Sequence, residues 1–152
     1  MLALLIAAAA ATSSPPIQTR AELQPWAMFV GHCWSGAAPV PNGVDTHCFE
    51  SIYGGQHVRD RHVVKINGKA VYSGEAVYSA EGKQVSFTYW NSFGGVGRGT
   101  ATAEGSELRF TGDMRASPGS ASEPMAATWH KVDGGYEVTD AGRTKRLFRR
   151  ID

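Results

Sequence analysis

A chain of 152 residues suffices for one domain with a real core and is short for two. Its 15 basic and 14 acidic residues leave a formal charge of +1, so no one-signed field argues for nucleic acid or an anionic membrane surface as a partner. With two cysteines in all, the compartment the chain occupies decides what they do.

The first eleven residues, "MLALLIAAAAA", hold an apolar run of about ten and end in Ala9, Ala10 and Ala11. A bilayer span needs roughly 20 apolar residues, so residues 1–11 read as a signal peptide cleaved near Ala11. No Lys or Arg precedes the run, and the alternative is a buried N-terminal helix. No Cys follows closely enough for a lipid anchor, and "TSSPPIQ", residues 12–18, reads as a flexible tail. The expected destination is the periplasm or the medium, where cysteines oxidise.

In "TRAELQPWAMFVGHCW" the spacing of Leu23, Trp26, Met28 and Phe29 predicts a short helix, with Pro25 tolerated only in its first turn. Beyond it the pattern changes to short alternating segments rich in Val, Tyr, Phe, Thr and Trp. Turn signals separate them at 41–43 (PNG), 54–55 (GG), 67–68 (NG), 81–82 (EG), 104–105 (EG), 133–135 (DGG) and 141–142 (AG). Strands are predicted over 29–37, 44–53, 56–66, 69–79, 83–91, 96–103, 107–112, 123–132, 135–140 and 143–151. No sustained 3.6-residue period follows, which excludes a parallel βαβ design. The fold class is therefore all-β: an antiparallel up-and-down β-barrel of nine or ten strands with a short N-terminal helix, occupying 19–152 as one domain. Closure removes exposed edges; a β-sandwich is the alternative. "RASPGSASEP", 115–124, is the one long irregular connection, suited to a barrel mouth.

"GHCWSG" at 31–36 is nearly repeated by "THCFES" at 46–51, each placing a Cys between a His and an aromatic. A hairpin turning at "VPNG" is centred between Val40 and Pro41, which sets Cys33 opposite Cys48 at a distance a disulfide can bridge. In an exported protein the disulfide is expected; packed free thiols are the alternative. Zinc held by both His–Cys pairs is excluded, because neighbouring residues of a strand point to opposite faces.

A two-residue turn at Gly54 and Gly55 then pairs His47 with His62, Phe49 with Asp60 and Glu50 with Arg59. Alternation gathers His32, Trp34, His47, Phe49, Ser51, Val58, Asp60, His62 and Val64 on one face. The other carries Cys33, Cys48, Glu50, Ile52, His57, Arg59, Arg61, Val63 and Lys65, with Glu50 and Arg59 as a cross-strand ion pair. Charge density puts the second face outside. The first becomes an interior wall whose candidate ligand-binding residues are His32, Trp34, His47, Phe49, Asp60 and His62. Such a cluster can orient a polar ligand, bind a metal through imidazoles, or do acid–base work with Asp60 fixing a histidine tautomer. A one-residue slip would turn the whole set outward, and the histidines can equally be hydrogen-bonded core residues.

"SFGGVGRGT" lacks the Lys of a phosphate loop and leads into a strand, so its glycines serve a barrel corner or make room for a ligand, and Arg98 is expected in solvent. Phe87, Tyr89 and Trp90 in "FTYWN", with Trp129 in "ATWHK", read as core. The bases of "RTKRLFRR" read as solvated charges on a final strand. No nucleophile-elbow, metalloprotease or nucleotide-binding fingerprint is present.

A short helix entering "GHCWSG", then "FESIYGGQHVRD", then "YSGEAVYSAEGKQVSFTYWNSFGG", resembles the lipocalin-like barrels of poorly characterised bacterial families and, more distantly, the nitrobindin group of haem-binding barrels. The resemblance covers residues 20 to 150 and departs at the first strand, where lipocalins carry Gly-x-Trp and this chain has Gly-x-x-Trp. It implies a fold with an interior cavity, and names no ligand. It also implies an arginine of the closing strand, Arg146, Arg149 or Arg150, over Trp34, and points to His130 as the position where haem barrels keep their ligand. The expectation is an exported, monomeric barrel that holds a small hydrophobic or amphipathic molecule, without resident cofactor, stable membrane span or nucleic-acid partner. A cofactor-free isomerase, cyclase or hydrolase using His47, His62 and Asp60 is the alternative, as is a haem- or metal-binding barrel.

Overall fold

The computed structural model describes residues 19–143 and 145–152; the expected signal peptide and tail, 1–18, lie outside them. Ten strands run in chain order: β1 Cys33–Ala37, β2 Gly43–Ile52, β3 His57–Ile66, β4 Lys69–Glu81, β5 Gln84–Asn91, β6 Val96–Glu104, β7 Glu107–Arg115, β8 Ser122–Val132, β9 Gly135–Asp140 and β10 Arg146–Arg150. Each pairs antiparallel with its neighbours in sequence, and β1 pairs with β10 to close the barrel. The predicted barrel is thus the observed one. The connection after β7 is shorter than expected, because Arg115 pairs with Ser122 and only residues 116–121 leave the ladder.

The helix is a short 3-10 turn, Ala21–Trp26, and Pro25 lies inside it rather than in a first turn. A proline ring at that position clashes with an α-helical preceding turn, so the segment stays tight and brief. Its purpose is packing. Trp26 meets Tyr78 at 5.2 Å and Phe110 at 6.4 Å between ring centroids. Phe29, just beyond, meets Trp34, Phe49, Trp129 and Tyr136. Leu23, Trp26 and Phe29 are all buried. The Arg20 amide bonds the Gly55 carbonyl, and Val30 bridges Phe49, which fixes this plug at the end of the barrel that carries the β2–β3 turn. The opposite end stays open.

Both early turns fall where the glycines put them. Cys33 faces Cys48, His47 faces His62, Phe49 faces Asp60 and Glu50 faces Arg59. The Arg59–Glu50 pair closes to 2.6 Å on the outer face. At the surface and screened by solvent, it contributes little to stability. Cys33 and Cys48 form the disulfide, with Cα atoms 4.1 Å apart. Its 15-residue separation corresponds to about 3 kcal/mol of chain-entropy stabilisation. Reduction should therefore lower the stability read by urea denaturation by about that amount, and an unchanged midpoint in reductant would contradict it.

On the far wall, Gly99 of β6 faces Gly112 of β7. A Cβ built on Gly99 would lie 2.8 Å from the Gly112 Cα and 2.9 Å from the Phe87 ring. The glycines of this region serve close backbone approach, and Arg98 between them is exposed as expected. Among the described residues, no helix is long and apolar enough to cross a membrane.

Candidate functional site

From the open end a mouth of about 770 Å³ leads to an inner cavity of about 210 Å³. Phe110, Met114, Met125, Ala127 and Trp129, from β7 and β8, give the inner cavity an apolar wall. Asp45 and His47 from β2, Asp60 and His62 from β3, Tyr89 from β5 and Arg146 from β10 give it a polar one. Alternation delivers the polar wall: Asp45 and His47 are two apart on β2, Asp60 and His62 two apart on β3, and the register sets His47 against His62.

The polar groups form one hydrogen-bonded circuit. His47 lies between two carboxylates, its Nδ1 at 2.8 Å from Asp60 Oδ2 and its Nε2 at 3.3 Å from Asp45 Oδ2. Ionised carboxylates only accept, so both ring nitrogens donate and His47 is an imidazolium. Burial opposes that charge, but the charge of Asp60 and the hydrogen bonds to Asp45 and Asp60 outweigh it and push the His47 pKa up to about 10. Asp45 is held well below the usual carboxylate range: burial alone would raise it, and the hydrogen bonds from His47 and His62 reverse the effect. Asp45 and Asp60 are 5% and 4% exposed, so these charges depend on their partners.

The circuit continues outward. His62 Nδ1 donates to Asp45 Oδ1 at 3.0 Å, and His62 Nε2 is 2.9 Å from the Tyr89 hydroxyl. Tyr89 in turn lies 2.6 Å from the Tyr72 hydroxyl. Burial, then the bond to Tyr72, pushes the Tyr89 phenol far above its ordinary range, so it stays a phenol. Arg146 stands across the mouth, its Nη2 2.6 Å from Asp140 and its Nη1 3.9 Å from Asp45.

Gly74 makes the outer half possible. It faces His62 across the β3–β4 ladder, and a Cβ there would sit 2.6 Å from His62 Nε2 and collide with the Tyr89 hydroxyl. Gly74→Ala should break the His62–Tyr89 bond and cost about 1–3 kcal/mol, the range for leaving a buried polar group unpaired. Denaturation of that variant checks it; parental stability would mean the circuit does not depend on this gap.

Of the residues predicted from sequence, His47, Asp60 and His62 meet in the cavity wall. Trp34 and Phe49 are interior but lie below it, in the aromatic core: Trp34 meets Phe29 and Tyr136, and Phe49 meets Phe29 and Trp129. His32 departs from its expected face. β1 begins only at Cys33, and Gly31, at φ 83°, turns the chain just before it, so strand alternation does not reach His32. Its ring lies at the surface, 3.6 Å from the Asp152 carboxylate. Of the arginines expected over Trp34, Arg150 is its cross-strand partner on β10, whereas Arg146 lies over the Phe148 ring at 5.7 Å, because β10 alternation sends Arg146 and Phe148 inward together. Asp45, Tyr72, Tyr89, Asp140 and Arg146 escaped the sequence reading as site residues. For Asp45 the signal was present, two residues before His47 on the same strand.

Haem and metal do not fit this arrangement. His130 is on the outer wall beside Ser106 and Glu107, its side chain 44% exposed. Both nitrogens of both interior histidines are already engaged in hydrogen bonds. Donor atoms of Asp45, His47 and His62 lie within 4.8 Å of one another. The two imidazoles, however, are stacked at 4.7 Å with planes 19° apart. A metal binds in the plane of each ring, so the stacked imidazoles would have to tilt and give up their hydrogen bonds to share one.

No protein-family model matches the chain, and no curated protein matches it. Among solved structures it is similar to the crystal structure of Rv2717c from M. tuberculosis, with a TM-score of 0.61 over 89% of this chain and 100% of that chain, at 11% sequence identity. Likeness at that identity establishes a shared barrel fold and leaves function to the site itself.

Proposed function

We propose that the protein is an exported, monomeric carrier or receptor that holds a small, partly apolar molecule inside its barrel. The observation that carries this is the two-sided cavity: an aromatic and methionine wall facing a polar one whose histidines, carboxylates and Tyr89 are hydrogen-bonded to one another, open to solvent at one end. Inner cavity and mouth together reach the size of ordinary small-molecule sites, while the inner part alone suits a single ring. The disulfide is in keeping with export. The enzymatic alternative is less well supported, since a general base needs a free lone pair, His47 has both nitrogens donating to carboxylates, and His62 Nε2 is taken up by the Tyr89 hydroxyl.

Calorimetric titration with indole and 1-naphthol tests the reading. The expected result is saturable one-to-one binding with a negative heat-capacity change, weakened at least tenfold in Ala127→Trp, which fills the cavity while circular dichroism still reports the barrel. Absence of binding, or equal binding by the filled variant, would contradict it.

A further inference from the structure

The direction of the hydrogen bonds in the polar wall says what kind of polar group it can receive. His47 holds a proton on each nitrogen between Asp45 and Asp60, and a second positive charge on His62, stacked on it at 4.7 Å, would be repelled by the first. With its one N–H, at Nδ1, given to Asp45, the His62 imidazole has only a lone pair at Nε2. Tyr89 must therefore donate to His62, and its oxygen is left to accept from the Tyr72 hydroxyl. Tyr72, half-buried at the mouth, has then spent its single proton inward. The chain from Asp45 through His62 and Tyr89 ends at the mouth in an oxygen that can only accept.

Charge points the same way. Around the inner cavity three carboxylates, Asp45, Asp60 and Asp140, face two cations, His47 and Arg146, and Arg143 adds an exposed cation at the rim of the mouth. Of the two arginines that could favour an anion, Arg143 is exposed at the rim of the mouth, and Arg146 has its Nη2 committed to Asp140, its Nη1 facing the Ala37 carbonyl at 3.5 Å and its Nε enclosed by protein. The aromatic floor of Trp129, Phe110 and Tyr78 favours an apolar ring or a cation over an anion.

We propose that the cavity selects single-ring apolar molecules bearing a neutral or cationic hydrogen-bond donor, an alcohol, phenol or amine, which is given to the Tyr72 oxygen, and that it rejects the corresponding carboxylates. This inference rests on the reading of the barrel interior as a ligand site. A site built around a fixed acceptor discriminates strongly, because a ligand without the donor leaves that acceptor unpaired and a carboxylate sets oxygen against oxygen.

The test is calorimetric titration of the full chain at pH 7 with four matched probes: ethylbenzene, 2-phenylethanol, 2-phenylethylamine and 3-phenylpropanoate. The alcohol and the amine should bind at least tenfold more tightly than the carboxylate. The advantage of the alcohol over ethylbenzene should shrink about fivefold in Tyr72→Phe, the loss of one hydrogen bond. Carboxylate binding equal to or tighter than that of the alcohol, or an alcohol preference untouched in Tyr72→Phe, overturns the inference and leaves the interior ligand site standing. Failure of all four probes to bind overturns the ligand-site reading and this inference with it.

Discussion

Urea denaturation of the His47→Leu variant is expected to give a stability about 3–5 kcal/mol below that of the parent, the cost of removing one partner from a buried charged pair. Leucine is close in volume and apolar, so the loss does not come from a large hole. It comes from Asp60, which accepts from His47 through both oxygens at 3.0 and 2.8 Å and is left as an enclosed carboxylate. Asp45 fares better because His62 still donates to it. The double variant His47→Leu with Asp60→Leu should accordingly be more stable than His47→Leu alone, since it removes the stranded charge together with its partner. A His47→Leu protein within 1 kcal/mol of the parent by the same urea denaturation would mean that the two carboxylates do not depend on His47.

Stability should also vary with pH in a direction set by His47. Its folded pKa of about 10 lies above the ordinary value near 6.5, so its contribution is complete below about pH 6.5 and is lost as pH rises through 10. Asp45, held low, contributes above about pH 4, and that share is lost in acid. Burial keeps Tyr78 and Tyr136 neutral in the fold, so ionisation of the unfolded chain near pH 10 adds to the alkaline loss. The expected profile is a plateau between roughly pH 4 and 6.5 and a decline of a few kcal/mol by pH 10. Denaturation midpoints across this range check it. The slope between pH 6.5 and 9.5 should vanish in His47→Leu, and a flat parental profile there would remove His47 as its source.

The barrel was legible because turn glycines and period-two alternation are local signals, and two turns sufficed to set the first three strands in register. That register alone brought His47, His62 and Asp60 together and paired the cysteines. Alternation failed at His32 because it holds only inside a strand, and with Gly31 turning the chain β1 starts at Cys33, four residues later than the predicted start at 29. Tyr89, Tyr72 and Arg146 were illegible for another reason. They come from β5, β4 and β10, and which of their residues stand at the height of His62 depends on the stagger accumulated around the barrel, including the slip between Val64 and Lys65 in the β3–β4 pairing. Trp34 and Phe49 were placed on the correct side of the sheet, yet the sequence pattern carries no depth. The N-terminal plug fills that end with Phe29 and makes them core.

The claim that the barrel interior receives a ligand is tested most directly by methyl NMR of the methionines during titration with 2-phenylethanol. Met114 and Met125 line the cavity from β7 and β8, whereas Met28 packs against the core at the plugged end. With the ligand inside the barrel, the Met114 and Met125 methyl resonances move together and saturate while Met28 stays in place. Resonances that do not move, or that move equally at Met28, would contradict it.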